Sequence, residues 1–387
     1  MTSWVNTMAK RCDRGRSAWP CGAWLAAVCV CAAGLANGEP AATRPAAEQV
    51  ERFGATDDVL GPLGGGEGYR RLVTDAHVRV RTEQQLIDAL SKAEAGQVIY
   101  VEDGIELDFS AWVLGEKLVL EVPGGVTLAG GRGKPGVEPA LLCSDAFATR
   151  PLIRAMGPKV RITGLRVRGP DTKIRHEPLH RWIVEDEKRV GKRERYYAFP
   201  TSDGISSAHP GLEVDNCEIW GWGHGAVSLG KGAIDAHIHH NYIHHNQRAA
   251  LGYGVVLNQA VALIESNIFD YNRHAIAATG RPGTSYEAAN NLVRENANGH
   301  LFDMHGGRDR KDGTDIAGDW MKIRHNTFQA THVPAFVIRG RPREKVEIHH
   351  NWFYMEAQAK AIISRVSPTD FLEMRRNQFG PERKVSE

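Results

Sequence analysis

Apolar and polar positions along this 387-residue chain fall into a short recurring frame: an apolar residue, two polar ones, Asn, any residue, then an apolar one. It occurs as "IHHNYI" (Ile238 to Ile243), "IESNIF" (Ile264 to Phe269), "AANNLV" (Ala288 to Val293), "IRHNTF" (Ile323 to Phe328), "IHHNWF" (Ile348 to Phe353) and "MRRNQF" (Met374 to Phe379). Two earlier copies replace the Asn, "VDNCEI" with Cys217 and "ITGLRV" with Leu165. The anchors Cys217, Asn241, Asn267, Asn291, Asn326, Asn351 and Asn377 are spaced 24, 26, 24, 35, 25 and 26 residues apart. A repeat of that length, made of short period-2 segments broken by Gly, Asn and polar turns, predicts one or two short strands per unit and no long helix.

Such a unit cannot bury its own apolar face. Stacking successive units at the strand spacing of about 4.8 Å closes a continuous core and pairs the backbone along the axis. Asn suits a repeated corner, because it tolerates left-handed backbone and its amide can bond to the coils above and below. The pattern therefore predicts an all-β fold, a single-domain parallel β-helix. In it, His239 and His349 fall in one column and His240, His325 and His350 in the next, alongside Glu265, Arg324, Arg375 and Arg376. A column that accepts His, Glu and Arg alike reads as a solvated face. Zinc would want converging ligands, not a stripe.

Upstream, "TEQQLIDALSKA" predicts a helix with Thr82 as cap, Gln85 closing the capping box, and Leu86, Ile87, Leu90 and Ala93 on its apolar face. Placed before "GQVIYVEDG" and "KLVLEVPGGVTLAGG", which read as first coils, it would plug the open end of the stack. The charged segment 171–200 fits no coil and reads as an excursion. Residues 1–38 carry basic residues, an apolar run broken by Pro20 and Gly22, and small residues at Ala36-Asn37-Gly38. They read as a signal peptide, with a membrane anchor as the other reading. Residues 39–73, rich in Ala, Pro and Gly, read as a flexible lead-in, residues 74–380 as the helix, and 381–387 as a tail.

Charge and cysteines narrow the classes. With 48 Lys+Arg against 46 Asp+Glu there is no overall field to draw in a nucleic acid. Four of six cysteines lie in the export segment, so Cys143 and Cys217 cannot build a disulfide framework. The expectation is an exported protein, periplasmic or extracellular, monomeric, and free of the membrane after cleavage.

The cap helix, the "SDGI" at Ser202 to Ile205 and the Asn-anchored coils resemble the right-handed parallel β-helix superfamily of pectate lyases, alginate lyases and mannuronan C5-epimerases, over about residues 74 to 380. The resemblance implies a single-stranded right-handed solenoid. Because that fold carries lyases, epimerases, hydrolases and inert adhesins, function has to be argued from a site.

Sites show as departures from the repeat. The longest step, Asn291 to Asn326, contains "GHLFDMHG" (Gly299 to Gly306) and the long loop 305–320. With Leu301 aligned on the apolar column Val227, Leu251, Ile276, Phe336 and Ile362, His274 and His300 share a corner on adjacent coils. Lys231, Tyr253, Arg281, Arg339, Arg341 and Arg365 follow along the same groove. Imidazoles, an aspartate and arginines in one groove suit a uronic-acid polymer: arginine pairs with the sugar carboxylate, and a neutral imidazole takes the proton beside it. The motif "HLFDMH" resembles the Tyr-Gly-Phe-Asp-Pro-His motif of mannuronan C5-epimerases, which implies Asp303 and His305 at its Asp and His positions. His300 stands where that family has tyrosine, and Met304 replaces proline.

The expected enzyme is a lyase acting by β-elimination, with His300 or His274 as base, Arg281 and Arg339 as carboxylate partners and Asp303 orienting His305. Strict alternation from Leu301 gives another reading of Asp303, as an inward structural carboxylate in a column with Leu229, Tyr253, Ala278, Ile338 and Ser364. A C5-epimerase, a glycoside hydrolase using Asp303 and Asp315, and a non-catalytic carbohydrate-binding or cell-surface solenoid are the alternatives. Asp309, Asp312, Asp315 and Asp319 raise calcium as a cofactor in the long loop, and Trp220, Trp222 and His224 raise stacking on sugar rings.

Overall fold

In a computed structural model, the structure describes residues 51–174, 185 and 199–382. The signal segment, the start of the lead-in, most of the charged excursion and the end of the tail lie outside these residues. The described chain winds through three sheets in which every strand pairing is parallel, of eleven, ten and nine strands. One turn shows the path: Ala236–His239 lies in the first sheet, Tyr242–His244 in the second and Tyr253–Leu257 in the third. Val261–Glu265 then returns beside Ala236–His239. This is the parallel β-helix that the repeat demands, with the right-handed sense that parallel strand connections take. Among the described residues no helix is long and apolar enough to cross a membrane.

The helix Glu83–Lys92 stands at the first coils, its Thr82 side chain accepting from the Gln85 N–H at 3.2 Å. Leu86 and Leu90 are buried against the start of the stack. A second helix, Ser110–Glu116, has no counterpart in the sequence reading. Inside the coils, Val227, Val255, Ile276, Phe302, Phe336 and Ile362 run in register as one core column.

At the corner between the first two sheets, Asn241, Asn267, Asn291, Asn326 and Asn351 each give the backbone N–H to the side-chain Oδ1 of the next coil's Asn, at 2.9–3.1 Å. Their Nδ2 groups bond the same Oδ1 and a carbonyl of the coil before, as Asn291 does to Asn326 and to Ile264. The left-handed residue is the one before each Asn. His240, Ser266, Asn290, His325, His350 and Arg376 all have φ between +48° and +56°. Asn thus serves as the ladder, and its predecessor makes the bend.

The sequence reading of the lead-in as a flexible segment leaves out the contacts that residues 51–73 make with the coils. These residues form a strap laid along this corner against the coil order. Gly54 N–H bonds the His350 carbonyl at 2.9 Å, Thr56 exchanges two bonds with the Asn290 amide, and Tyr69 OH donates to Asp215 at 2.7 Å. Its glycines are there for close approach: a Cβ on Gly65, at φ +67°, would stand 2.4 Å from the His240 carbonyl oxygen.

The strap also corrects the reading of the histidine columns as a solvated face. His239 and His240 are buried beneath it, paired with Glu213 and Asp58, each at 3.1 Å, and His350 pairs with Glu51 at 3.0 Å. The cover is partial: His239, His240 and His349 are buried and His350 is half-buried, while Arg375 and Arg376 in the same columns remain exposed. Trp222 is core, its indole N–H directed at the Val167 carbonyl, and Trp220 stacks on His244 in the second sheet. Neither takes the sugar-stacking role on the third sheet.

Candidate active site

The register of the third sheet decides where Asp303 points. Ile276 pairs with Phe302 and Phe302 with Phe336, so the apolar column takes Phe302, not Leu301, and Val255, not Leu251. Asp303 then belongs with Ser228, Val256, Ala277 and Val337 on the outward side. Two consecutive buried residues, Leu301 in the turn and Phe302 in the strand, hide this parity in the sequence. The inward, structural reading of Asp303 is therefore corrected.

Although it faces outward, Asp303 is 0 % exposed, because a ring of side chains closes over it. His305 Nε2 lies 2.8 Å from its Oδ2, Arg339 Nη2 donates to Oδ2 at 2.8 Å, and His300 Nε2 lies 3.3 Å from Oδ1. Arg339 Nη2 also donates to His300 Nε2 at 3.1 Å, and Arg339 Nη1 reaches Asp309 Oδ1 at 3.4 Å. Behind His300, the His274 Nδ1–H donates to the His300 carbonyl at 2.5 Å. That leaves a lone pair on Nε2, which has no hydrogen-bond partner among the described residues and faces Asp303 Oδ2 at 3.9 Å. Tyr253 stacks on His274 at 5.6 Å and 9°, and Arg273 lies over the Tyr253 ring.

These contacts set the charges. Burial raises the Asp303 carboxyl, but the ring nitrogens of His300 and His305 held against it outweigh this and keep the group well below the usual carboxylate range. Burial, helped by Arg273, pushes His274 well below an ordinary imidazole. His300 is lowered as well, by burial first and by Arg339 and Arg273 beyond that, against the pull of Asp303. At neutral pH Asp303 is therefore a carboxylate beside the neutral imidazoles of His274 and His300, with the guanidiniums of Arg339 and Arg273 close by.

Of the residues singled out in the sequence, the structure brings together His274, His300, Asp303, His305 and Arg339, with Tyr253 stacked behind. His274 is 1 % exposed on its side chain and cannot reach a ligand in the groove, so it is not placed to act as base. Lys231, Arg281, Arg341 and Arg365 are exposed past the C-terminal ends of the third-sheet strands and make no contact with Asp303. Arg341 is instead paired with Asp370 at 2.7 Å. Regular spacing aligned them with Arg339, but only Arg339 turns back over the outward column. Arg273 was missed, although it stands immediately before His274.

A metal ion is poorly suited to this place. His274, His300 and Asp303 present ligand atoms within 4.8 Å of one another. Arg339 Nη2 already bridges two of them, and Arg273 adds a second positive charge, an environment that favours an anion. The long loop does not gather its carboxylates for calcium either. Asp309 caps the turn Gly307–Arg310 and meets Arg339, Asp312 pairs with Arg310 at 2.7 Å, and Asp319 bonds Gly283 N–H and Arg343.

No sequence family and no curated protein matches the chain. Among solved structures, it is similar to an alginate lyase from Paenibacillus sp. str. FPU-7, at 16% identity and TM-score 0.48, over 78% of this chain and 95% of that one. The A-module of a mannuronan C-5 epimerase from Azotobacter vinelandii aligns at 12% identity and TM-score 0.45, over 85% and 98%. A family 28 exopolygalacturonase from Yersinia enterocolitica aligns at 10% identity and TM-score 0.31, over 78% and 76%. At such identities the likeness is one of backbone path alone.

Proposed function

We propose that the protein is a polysaccharide lyase that cleaves a uronic-acid polymer by β-elimination at the Asp303 cluster. The observation that carries this reading is a buried carboxylate on the outward face of the solenoid that fixes an imidazole and a guanidinium side by side. Arg339 supplies the carboxylate partner: pairing with the sugar's carboxylate offsets the charge that builds as the C5 proton leaves. His305 supplies the base. Its side chain is 29% exposed, the most open of the three rings, and its Nε2 proton faces Asp303, which leaves the Nδ1 lone pair for substrate. His300 is less suited, since its Nε2 accepts from Arg339.

In the reaction the C5–H bond breaks toward His305 Nδ1, a C4=C5 double bond forms, and the C4–O bond to the next sugar breaks. The proton on His305 passes to the departing oxygen, so the imidazole returns to its neutral form. The test is incubation of the purified protein with a panel of uronic-acid polymers. Ultraviolet absorbance from the conjugated double bond is the expected result. New reducing ends without that absorbance would mean hydrolysis, and a changed uronate composition without cleavage would mean epimerisation.

A further inference from the structure

The outward column that holds Asp303 continues toward the N-terminal coils as Ala277, Val256, Ser228, Ser206 and Arg154, all in register. Small side chains follow one another for four coils between the charged centre and Arg154. At about 4.8 Å per coil, the five steps from Asp303 to Arg154 cover about 24 Å. Over the far part of this floor the surface opens into a cavity of about 520 Å³ lined by Arg154, Ser206, His209, His224, Ser228 and Asn258, among others.

One wall of this groove is built. His224 Nδ1 lies 2.7 Å from Asp203 Oδ1, and Ser228 Oγ donates to the same oxygen at 2.6 Å. Asp203 belongs to the "SDGI" stretch, which the Asp303 cluster does not use. With its Nδ1 proton held by Asp203, His224 presents an Nε2 lone pair, and its side chain is 32% exposed. Its ring meets Tyr253 edge-on at 5.5 Å, Tyr253 stacks on His274, and His274 packs on His300 at 4.0 Å. A continuous row of rings therefore runs from Asp203 to the Asp303 cluster, above a floor of small residues.

We propose that this groove binds the uronic-acid polymer on the N-terminal side of the scissile bond, with Asp203, His224 and Ser228 forming a subsite for a sugar unit about three coils from Asp303. The inference rests on the lyase reading and deepens it: the enzyme favours chains long enough to reach His224. Sugar hydroxyls meet His224 Nε2 and the Ser228 side, while Arg154 and His209 at the far end meet a carboxylate. A pyranose unit is of the same order of length as the coil spacing, so several units fill the distance.

The experiment uses the full chain, oligouronates from trimer to octamer, and two variants, His224→Ala and Ser206→Trp. The second projects outward and fills the groove without touching the core. Both variants should cut the kcat/KM advantage of octamer over trimer about tenfold, and octamer binding measured by calorimetry should weaken by a similar factor. An unchanged length preference together with unchanged octamer affinity in both variants overturns the subsite. If the wild-type protein makes no unsaturated ends on any polymer, the lyase reading fails by itself. The calorimetric comparison then still decides the groove: weakened octamer binding supports it, and equal binding removes it.

Discussion

Two parts of this solenoid are rich in histidine, and they have opposite characters. Along the corner between the first two sheets, three of the five rings in the two columns have a carboxylate partner on the strap or a neighbouring coil: His239 meets Glu213, His240 meets Asp58 and His350 meets Glu51. On the third sheet, neither His274 Nε2 nor Asp303 Oδ1 has a hydrogen-bond partner among the described residues, and Arg339 binds the carboxylate while Arg273 adds its charge beside His274 and His300. Residue type alone does not separate the two regions. What separates them is what surrounds the rings: carboxylates from the strap and neighbouring coils at the corner, and on the third sheet one buried carboxylate shared with Arg339 beneath a groove. Rings matched to carboxylates at a corner fix structure, whereas a strongly perturbed carboxylate and imidazoles beneath a groove mark a candidate functional site.

The comparison is broken most severely at the cluster. Asp303→Asn should cost about 3–5 kcal/mol of stability, because Arg339 loses its nearer counter-ion and keeps only the longer contact with Asp309, and turnover should fall with it. Calorimetric melting and the ultraviolet assay would show both. Arg339→Ala should lower kcat/KM by about a thousandfold, with a rise in KM as well as a fall in kcat, since the guanidinium meets the sugar carboxylate before and during the reaction.

At the corner the effects are smaller and confined to stability. Gly65→Ala should cost about 1–3 kcal/mol by forcing the strap off the His240 carbonyl, with turnover per folded molecule unchanged. Asn291→Ala should cost about 1–2 kcal/mol through the broken ladder, again sparing activity. Equal loss of activity per folded molecule in either variant would join the corner to the site and dissolve the distinction.

The smallest effect sharpens the comparison through pH. Burial first, then Arg375 and the adjacent histidines, lower His349 to about 4. An ordinary histidine titrates near 6.5. As pH falls below about 6.5, the unfolded chain takes up this proton before the folded one does, so stability declines down to about pH 4 and levels off below it. His240 and His325, lowered mainly by burial, act in the same direction. Melting temperature followed from pH 7 to pH 4 should fall, and His349→Gln should make the slope shallower.

The fold was legible because the Asn frame is periodic and its physical cause, a ladder along the axis, acts once per coil. The corner strap was not. Glycines that allow close contact have the same composition as glycines that allow motion, and only the acceptor at 2.4 Å from a Gly65 Cβ tells them apart. Asp303 and His305 were found because the long Asn291 to Asn326 step flags an insertion, and Arg339 because it follows the same strand on a flanking coil. Their grouping was obscured by parity, since Leu301 and Phe302 are both buried and either can be counted as the core position. Arg281, Arg341 and Arg365 illustrate the opposite error: shared spacing places residues on one strand end without saying which way the side chains turn.

The central claim is that His305, held by Asp303, removes a proton from a uronic-acid sugar. The direct measurement is the rate of double-bond formation by His305→Ala on the polymer that the wild-type protein cleaves, taken beside its melting temperature. The account predicts a fall in turnover of about a hundredfold or more with melting almost unchanged. A His305→Ala protein that melts early yet turns over at the wild-type rate would contradict it, and would make Asp303 and its ring of side chains a structural knot on the outside of the helix.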